Sequence, residues 1–202
     1  KQALQSWEHY QGQIAECDRQ IEQLLREGSG HDVPPGQPAR KSRKGGVNAP
    51  VIPGLRDILT QLCGGQDLTR LPAHTEYSVL QIVSEVATDL QQWATEKPFT
   101  ARLGLGPGSH QSGKRKGSVK RNRNRAGRLF CVIARSLARS KDIALGGFYR
   151  RMAARRGGLV ANIALARKLA ALFWRVMVKS MQYVEQGLAQ YEAKVLETKQ
   201  RA

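Results

Sequence analysis

Apolar side chains recur at steps of three and four residues along most of this chain. That spacing places them on one face of an α-helix. No stretch alternates apolar and polar positions for long enough to form a β-strand. Clusters of glycine and proline interrupt the helical pattern and mark the turns between elements. The sequence therefore predicts an all-α fold.

The N-terminal part is predicted to consist of one helix and one linker. Residues 1–27 carry an apolar stripe whose spacing is close to a heptad repeat, formed by Leu4, Trp7, Ile14, Ile21 and Leu25. Such a stripe is typical of a coiled-coil helix that pairs with a second helix, and equally of a helix that packs on its own domain. Residues 28–53 are rich in glycine, proline and basic side chains, so we expect a flexible basic linker.

Residues 54–202 are predicted to form a helical domain. Residues 104–120 interrupt it with five glycines, one proline and four basic side chains, which predicts a loop. Before the loop we predict a short helix ended by Gly64 and Gly65, a second helix capped by Thr75, and a third from Pro98 to Leu103. After the loop we predict helices over residues 122–140, 143–156 and 159–186, followed by a polar tail helix through about residue 200.

The net charge of the chain restricts the classes of function that the sequence can have. The chain has 202 residues with 33 Lys and Arg against 16 Asp and Glu, a formal charge of +17. Sixteen of the basic residues lie between Arg102 and Arg156, where Asp142 is the one acid. Like charges repel along a helix, so this excess is best explained by phosphates that supply the counter-charge. Neutralisation of roughly five phosphates predicts a slope near −4.5 for log K against log salt.

The predicted nucleic-acid-binding residues follow from that cluster. They are Lys114, Arg115, Lys116, Lys120, Arg121, Arg123, Arg125, Arg128, Arg150, Arg151, Arg155 and Arg156. A membrane is not an expected partner, because the longest apolar run is the ten residues from Leu169 to Val178, which Arg175 interrupts. Neither the three cysteines nor the four histidines have metal-ligand spacing, so no metal site is predicted.

Candidate chemistry is limited by the scarcity of acids. A two-metal nuclease needs several converging carboxylates, and Asp142 alone is available between Lys97 and Val184. A nucleophile assisted by positive charge remains possible. In the loop, the hydroxyl of Ser112 can attack a phosphodiester while Lys and Arg stabilise the added negative charge. Serines in glycine-rich loops also serve simply as turn residues. Tyr149 is a further nucleophile by type, although packing beside Phe148 explains it as well.

Several blocks of sequence resemble one protein family. They are residues 68–113, Asn124–Arg125, Ala144–Arg151 and Ala166–Leu169. The run Leu-Gly-Leu-Gly-Pro-Gly followed by Ser-Gly-Lys is the most specific of them. These blocks resemble the C-terminal domain of insertion-sequence "one-ten" transposases, which are bridge-RNA-guided DNA recombinases. With the upstream helix and linker, the resemblance covers nearly the whole chain.

The resemblance implies a two-part enzyme that acts on DNA. In the family, a RuvC-like N-terminal domain carries four acids that bind Mg²⁺, and the C-terminal domain supplies a serine nucleophile. The composite site forms between subunits, which implies a homo-oligomer with DNA and a structured guide RNA as partners. The family serine matches Ser112, followed by Gly113 and Lys114, with Ser109 as the second choice. A cytoplasmic location at the bacterial nucleoid follows.

This chain is expected to begin in the connecting helix, without the RuvC-like domain and its Mg²⁺. No cofactor is therefore expected in the fragment, which should bind DNA or structured RNA without cutting it. The sequence also departs from the family. Ala73 and His74 replace glycine in a segment that resembles a helix-hairpin-helix, and Lys114 replaces a second glycine after Ser-Gly. A non-catalytic basic nucleic-acid-binding module and a decayed transposase remain the alternatives.

Overall fold

The structure is a computed structural model that describes residues 2–30, 49–107, 122–140 and 144–200. Every regular element in these ranges is helical, which confirms the predicted all-α fold. In chain order the helices are α1 (Gln2–Ser29), α2 (Leu55–Leu62), a 3-10 turn (Leu68–Arg70), α3 (Glu76–Val86), α4 (Glu96–Arg102), α5 (Arg125–Ala138), α6 (Leu145–Arg156), α7 (Gly158–Val178) and α8 (Met181–Gln200).

Helix α7 lies at the centre of the domain. It contacts α4, α5, α6 and α8, and its buried side chains are distributed around the helix. Phe173 packs edge-on against Phe130 of α5, with ring centroids 5.7 Å apart. Trp174 donates its indole N–H to the Leu90 carbonyl at 3.2 Å. Phe173 and Trp174 are both buried in the core, as the central position of α7 requires.

The helices before α5 match the sequence expectations closely. Helix α2 ends just before Gly64 and Gly65, both of which have positive φ. The Thr75 hydroxyl caps α3 by accepting from the Ser78 backbone N–H at 3.2 Å, as predicted. Helix α4 begins two residues before the predicted start at Pro98, because proline is tolerated in the first turn of a helix.

The predicted helix over residues 159–186 is wrong at its C-terminal end. Helix α7 stops at Val178, and α8 starts afresh at Met181. The Ser180 hydroxyl caps the new helix by accepting from the Tyr183 N–H at 3.2 Å. Gln66, far away in sequence, accepts the N–H of Met181 at 2.8 Å. These two hydrogen bonds satisfy N–H groups at the start of α8, which would bond within the helix if α7 continued.

Helix α1 is continuous but packs on the domain only near its C-terminal end. Leu25 packs against the core, and Asp18 accepts the backbone N–H of Val51 at 3.0 Å. Most of the apolar stripe stays in solvent, with Trp7 59% and Ile14 53% exposed. Packing on its own domain therefore explains the apolar residues at the C-terminal end of α1, but it does not explain the rest of the apolar stripe. None of the described helices is both long enough and apolar enough to span a bilayer.

Candidate nucleic-acid interface

The two ends of the predicted glycine-rich loop meet at the N-terminus of α5. Gly104 lies against the backbone at the other end, where an added Cβ would be 2.3 Å from the Asn122 carbonyl oxygen. Gly104 also has φ +72°, a conformation that side chains disfavour. Gly127, in the first turn of α5, approaches the Leu103 carbonyl so closely that a Cβ would be 2.1 Å from its oxygen. Backbone contacts through these two glycines therefore close the base of the loop.

Asn124 fixes the start of α5 at this base. Its side-chain oxygen accepts the Gly127 N–H at 2.8 Å, which is the hydrogen bond of an N-cap residue. Helix α5 therefore begins at Arg125, three residues later than the sequence predicted. The N-terminal end of α5, with its positive dipole end, thus lies directly beside both ends of the loop.

Arg123 lies at the same base and is half-buried. Its Nε has no hydrogen-bond partner within the part of the chain that the structure describes. Its backbone carbonyl accepts from Arg128 Nε at 3.3 Å. Burial raises the pKa of the nearby Cys131 thiol, while the charges of Arg123 and Arg135 act in the opposite direction. Arg123 is therefore a half-buried residue at the base of the loop whose Nε donor has no partner among the described residues.

Helix α5 presents an arginine stripe to solvent. The stripe has heptad spacing and consists of Arg125, Arg128, Val132, Arg135 and Arg139, all exposed. The rise from Arg125 to Arg139 is about 21 Å at about 1.5 Å per residue, or roughly six base-pair steps of a duplex. Within the described ranges, Arg125 alone of these arginines has an acidic partner, Glu85 at 3.4 Å. The sequence prediction included Arg125 and Arg128 but missed Arg135 and Arg139, although their spacing of three and four residues marks the same face.

The predicted arginines of α6 are all exposed, but they contact different neighbours. Arg150 donates to the Ser140 carbonyl at 2.9 Å and so joins α6 to the end of α5. Arg151 donates to the Tyr191 hydroxyl of α8 at 3.3 Å. Arg155 and Arg156 lie in the last turn of α6, where the negative end of the helix dipole favours cations. Contacts between α5 and α6 bring the two basic helices side by side.

The remaining predicted site residues lie outside the described residues. These are the candidate nucleophile Ser112, its alternative Ser109, and the basic residues Lys114, Arg115, Lys116, Lys120 and Arg121. Their roles stay predictions. Tyr149, the other candidate nucleophile, is half-buried and packs against the core.

The segment that resembles a helix-hairpin-helix has a hairpin without glycine. Ala73 adopts φ 61°, a conformation usually taken by glycine. His74 turns inward, where its Nδ1 lies 3.0 Å from the Pro72 carbonyl and its ring packs near Phe130 and Phe173. Burial lowers the pKa of His74 to about 4, so this side chain is neutral at pH 7. The helix-hairpin-helix assignment stays a prediction.

Metal ligands do not gather in the described part of the chain. Within residues 2–30, 49–107, 122–140 and 144–200, no three His, Cys, Asp or Glu side chains lie close enough to hold an ion. Burial raises the pKa of Cys63 to about 11, so its thiol stays protonated. The family resemblance assigns Mg²⁺ to the RuvC-like domain, and these ranges offer no ligand set for it.

Comparison with known families now bears on this interface. Residues 65–150 match the family model described as Transposase IS116/IS110/IS902 family. The chain carries a domain of this transposase family. The match runs from the end of α2 into α6, and so includes the base of the loop, α5 and the position of Ser112. It confirms the resemblance over residues 65–150 and assigns this domain to transposition in general. No curated protein and no solved structure matches the chain.

Proposed function

We propose that this chain is the nucleic-acid-binding and strand-transfer part of a transposase, with Ser112 as its nucleophile. The arginine stripe of α5 carries the binding half of the proposal. Four exposed guanidinium groups along one helical face, with one acidic partner among the described residues, suit a phosphate backbone. DNA is the substrate, and a structured guide RNA is the second polynucleotide partner.

The loop base supports the role of Ser112. Fourteen residues, 108–121, connect Pro107 to Asn122, and Ser112 lies among them. Leu103, a few residues before this segment, packs against Gly127 of α5, and Asn122, directly after it, packs against Gly104, so the chain that carries the serine leaves and returns near the N-terminus of α5. A strand bound on α5 therefore lies close to where the loop enters and leaves.

The reaction is a transesterification. The Ser112 oxygen forms a bond to the scissile phosphorus, its proton passes to a base or to water, and the bond from phosphorus to the leaving nucleoside oxygen breaks. The phosphoserine ester keeps the bond energy, so a second nucleoside hydroxyl can rejoin the strand. Lys114, Arg115 and Lys116 position the phosphate and stabilise its developing charge. The half-buried Arg123 is a further donor for that charge.

Subunit association is assigned to α1. Trp7, Tyr10, Ile14 and Ile21 stay at least one-third exposed on one continuous helical face. A face of this kind with heptad spacing suits pairing with the same face of a second copy. We therefore propose a homo-oligomer joined through α1, as a composite site between subunits requires.

The first experiment separates binding from chemistry. The chain should bind a labelled duplex, and a structured RNA should compete, but no strand should be cut or joined by the chain alone. When it is combined with a RuvC-like domain of the same family, a covalent adduct between protein and DNA should form. Ser112→Ala should abolish the adduct, whereas Ser109→Ala and Tyr149→Phe should retain it.

Two outcomes would contradict these assignments. If Ser112→Ala still forms the adduct, another residue is the nucleophile. If no variant or wild-type protein forms one while binding stays tight, the chain is a non-catalytic nucleic-acid-binding module.

A further inference from the structure

A cavity of about 460 Å³ lies between α7 and α8. Helix α7 contributes Ala171 and Leu172 to its lining, and α8 contributes Tyr183, Val184 and Tyr191. Its size falls within the range of sites for small organic ligands, roughly 300–1,000 Å³. The described residues that line it include basic, amide and tyrosine side chains and no acidic one. The cavity therefore combines apolar walls with an excess of hydrogen-bond donors.

Lys168 supplies the main charge inside this cavity. Its Nζ lies 4.4 Å from the centroid of the Phe148 ring and 4.9 Å from that of Tyr191. No carboxylate lies within ion-pair distance of it in the part of the chain that the structure describes. Burial, reinforced by the charges of Arg151 and Arg175, lowers the pKa of Lys168. A half-buried ammonium with no counter-ion favours an anionic ligand.

The other groups of the cavity suit a planar, polar ring. The Leu172 side chain offers apolar surface for burial of a ring. Tyr191 has the Lys168 Nζ 4.9 Å from its ring centroid and Tyr183 has the Lys179 Nζ 4.5 Å from its own, so a planar ligand would stack on the opposite faces of these rings. The amides of Gln186 and Gln190 both donate and accept hydrogen bonds, as the edge of a nucleobase requires. A nucleotide joins such a ring to a phosphate and therefore matches both halves of the lining.

The cavity is also continuous with the basic helix α6. Arg151 of α6 donates to the Tyr191 hydroxyl at its wall, at 3.3 Å. Arg155 is one turn further along the same helix and is exposed. A strand with a phosphate at Arg151 therefore lies beside Tyr191 at the wall of the cavity.

We propose that the cleft between α7 and α8 receives one unpaired nucleotide of a bound polynucleotide, with Lys168 opposite its phosphate. This proposal rests on the nucleic-acid-binding function proposed above. It adds a subsite that binds an unpaired nucleotide and is separate from the arginines of α5, which contact phosphates. The same chemistry would serve DNA or RNA, and the experiment compares both.

Gly187 allows the cleft to be blocked without disturbing the core. It lies in α8 at the lining of the cavity, and a Cβ there would meet no atom within 4 Å. Gly187→Leu therefore fills space in the cleft and also favours the helix. The matched control is Gly12→Leu, because Gly12 lies in α1 with equally open surroundings. Lys168→Met removes the charge while keeping much of the side-chain length.

The test measures affinity by fluorescence anisotropy at one salt concentration. The probes are a fully paired DNA duplex, the same duplex with one unpaired nucleotide, and the corresponding RNA pair. Wild type should bind at least one unpaired probe about tenfold more tightly than its paired form, a typical contribution of one stacked base. Gly187→Leu and Lys168→Met should lose this preference and bind the paired duplex within about twofold of wild type, whereas Gly12→Leu should keep it. A photoreactive 5-iodouracil at the unpaired position should crosslink to Tyr183 or Tyr191.

The outcomes separate the two proposals. Tight binding of paired duplex with no preference for any unpaired probe overturns the cleft proposal and leaves the binding function intact. A preference that survives Gly187→Leu, or that Gly12→Leu also removes, overturns it too. If wild type binds none of the four probes, the binding function itself fails, and the cleft proposal fails with it.

Discussion

Gly127 of α5 packs directly on the carbonyl of Leu103, so closely that a Cβ at position 127 would be 2.1 Å from that oxygen. The contact joins two residues on opposite sides of the loop that carries Ser112. Real Cβ atoms essentially never approach a backbone atom this closely. The packing of Leu103 against the start of α5 therefore depends on the absence of a side chain at 127.

Gly127→Ala should destabilise the domain by about 3 kcal/mol, because neither the start of α5 nor the Leu103 carbonyl can move without disturbing buried neighbours. Urea denaturation followed by circular dichroism measures the change. Gly106→Ala is the matched control, since the nearest atoms to a Cβ there are 3.6 Å away. It should cost less than about 1 kcal/mol. Equal stabilities of the two variants would show that the close contact does not exist in solution.

The helices could be predicted from sequence because each has its own apolar stripe and local end signals. Thr75 caps α3 and two glycines end α2 through contacts within a few residues. The break between α7 and α8 was missed because part of its cause is not local. Gln66 accepts the Met181 N–H from 115 residues away. The spacing of apolar residues around residue 180 does not indicate that hydrogen bond.

Part of the candidate site could also be predicted from the sequence, and part could not. The excess of arginine was visible in the sequence, and so was its relation to phosphate. The closure of the loop base was not, because it depends on Gly104 meeting Asn122 and Gly127 meeting Leu103 in three dimensions. The surroundings of Lys168, which has no carboxylate partner among the described residues, were missed as well, since its aromatic neighbours come from α6 and α8. Tertiary contacts, and not residue types, define these features.

Stability should fall as the solution is acidified from about pH 6.5 to pH 4, because of His74. Its pKa is 6.5 in the unfolded chain and about 4 in the fold, so the unfolded state binds a proton that the native state rejects. The contribution is fully present above pH 6.5 and is lost as the pH falls towards 4, up to about 3 kcal/mol. Urea midpoints across this range measure it.

His74→Leu should flatten this pH dependence, because no titrating group then remains at that position. The control is His9→Gln on the exposed part of α1, which should keep the wild-type slope. A slope in His74→Leu equal to that of wild type would mean that other groups cause the acid sensitivity.

The exposed stripe of α1 should hold two copies of the chain together. Ile14→Glu puts a charge in the middle of the proposed helix pair, where its burial would cost several kcal/mol. Analytical ultracentrifugation should therefore show an oligomer for wild type and a monomer for the variant. Leu159→Glu is the control, because Leu159 is 71% exposed on a different helix. A monomeric wild type at high concentration would rule out association through α1.

The arginine stripe of α5 should determine how binding depends on salt. Each phosphate contact contributes about 0.9 to the slope of log K against log salt, because each releases a condensed counter-ion. Arg128→Gln and Arg135→Gln should each reduce the slope by about that amount, and the double variant by about twice as much. Arg19→Gln, which removes an exposed arginine paired with Glu16 on α1, should leave the slope unchanged. Binding isotherms on one duplex at several salt concentrations give these slopes. If Arg135→Gln behaves as Arg19→Gln does, the bound strand does not follow the face of α5, and the phosphate contacts belong to the loop or to α6 instead.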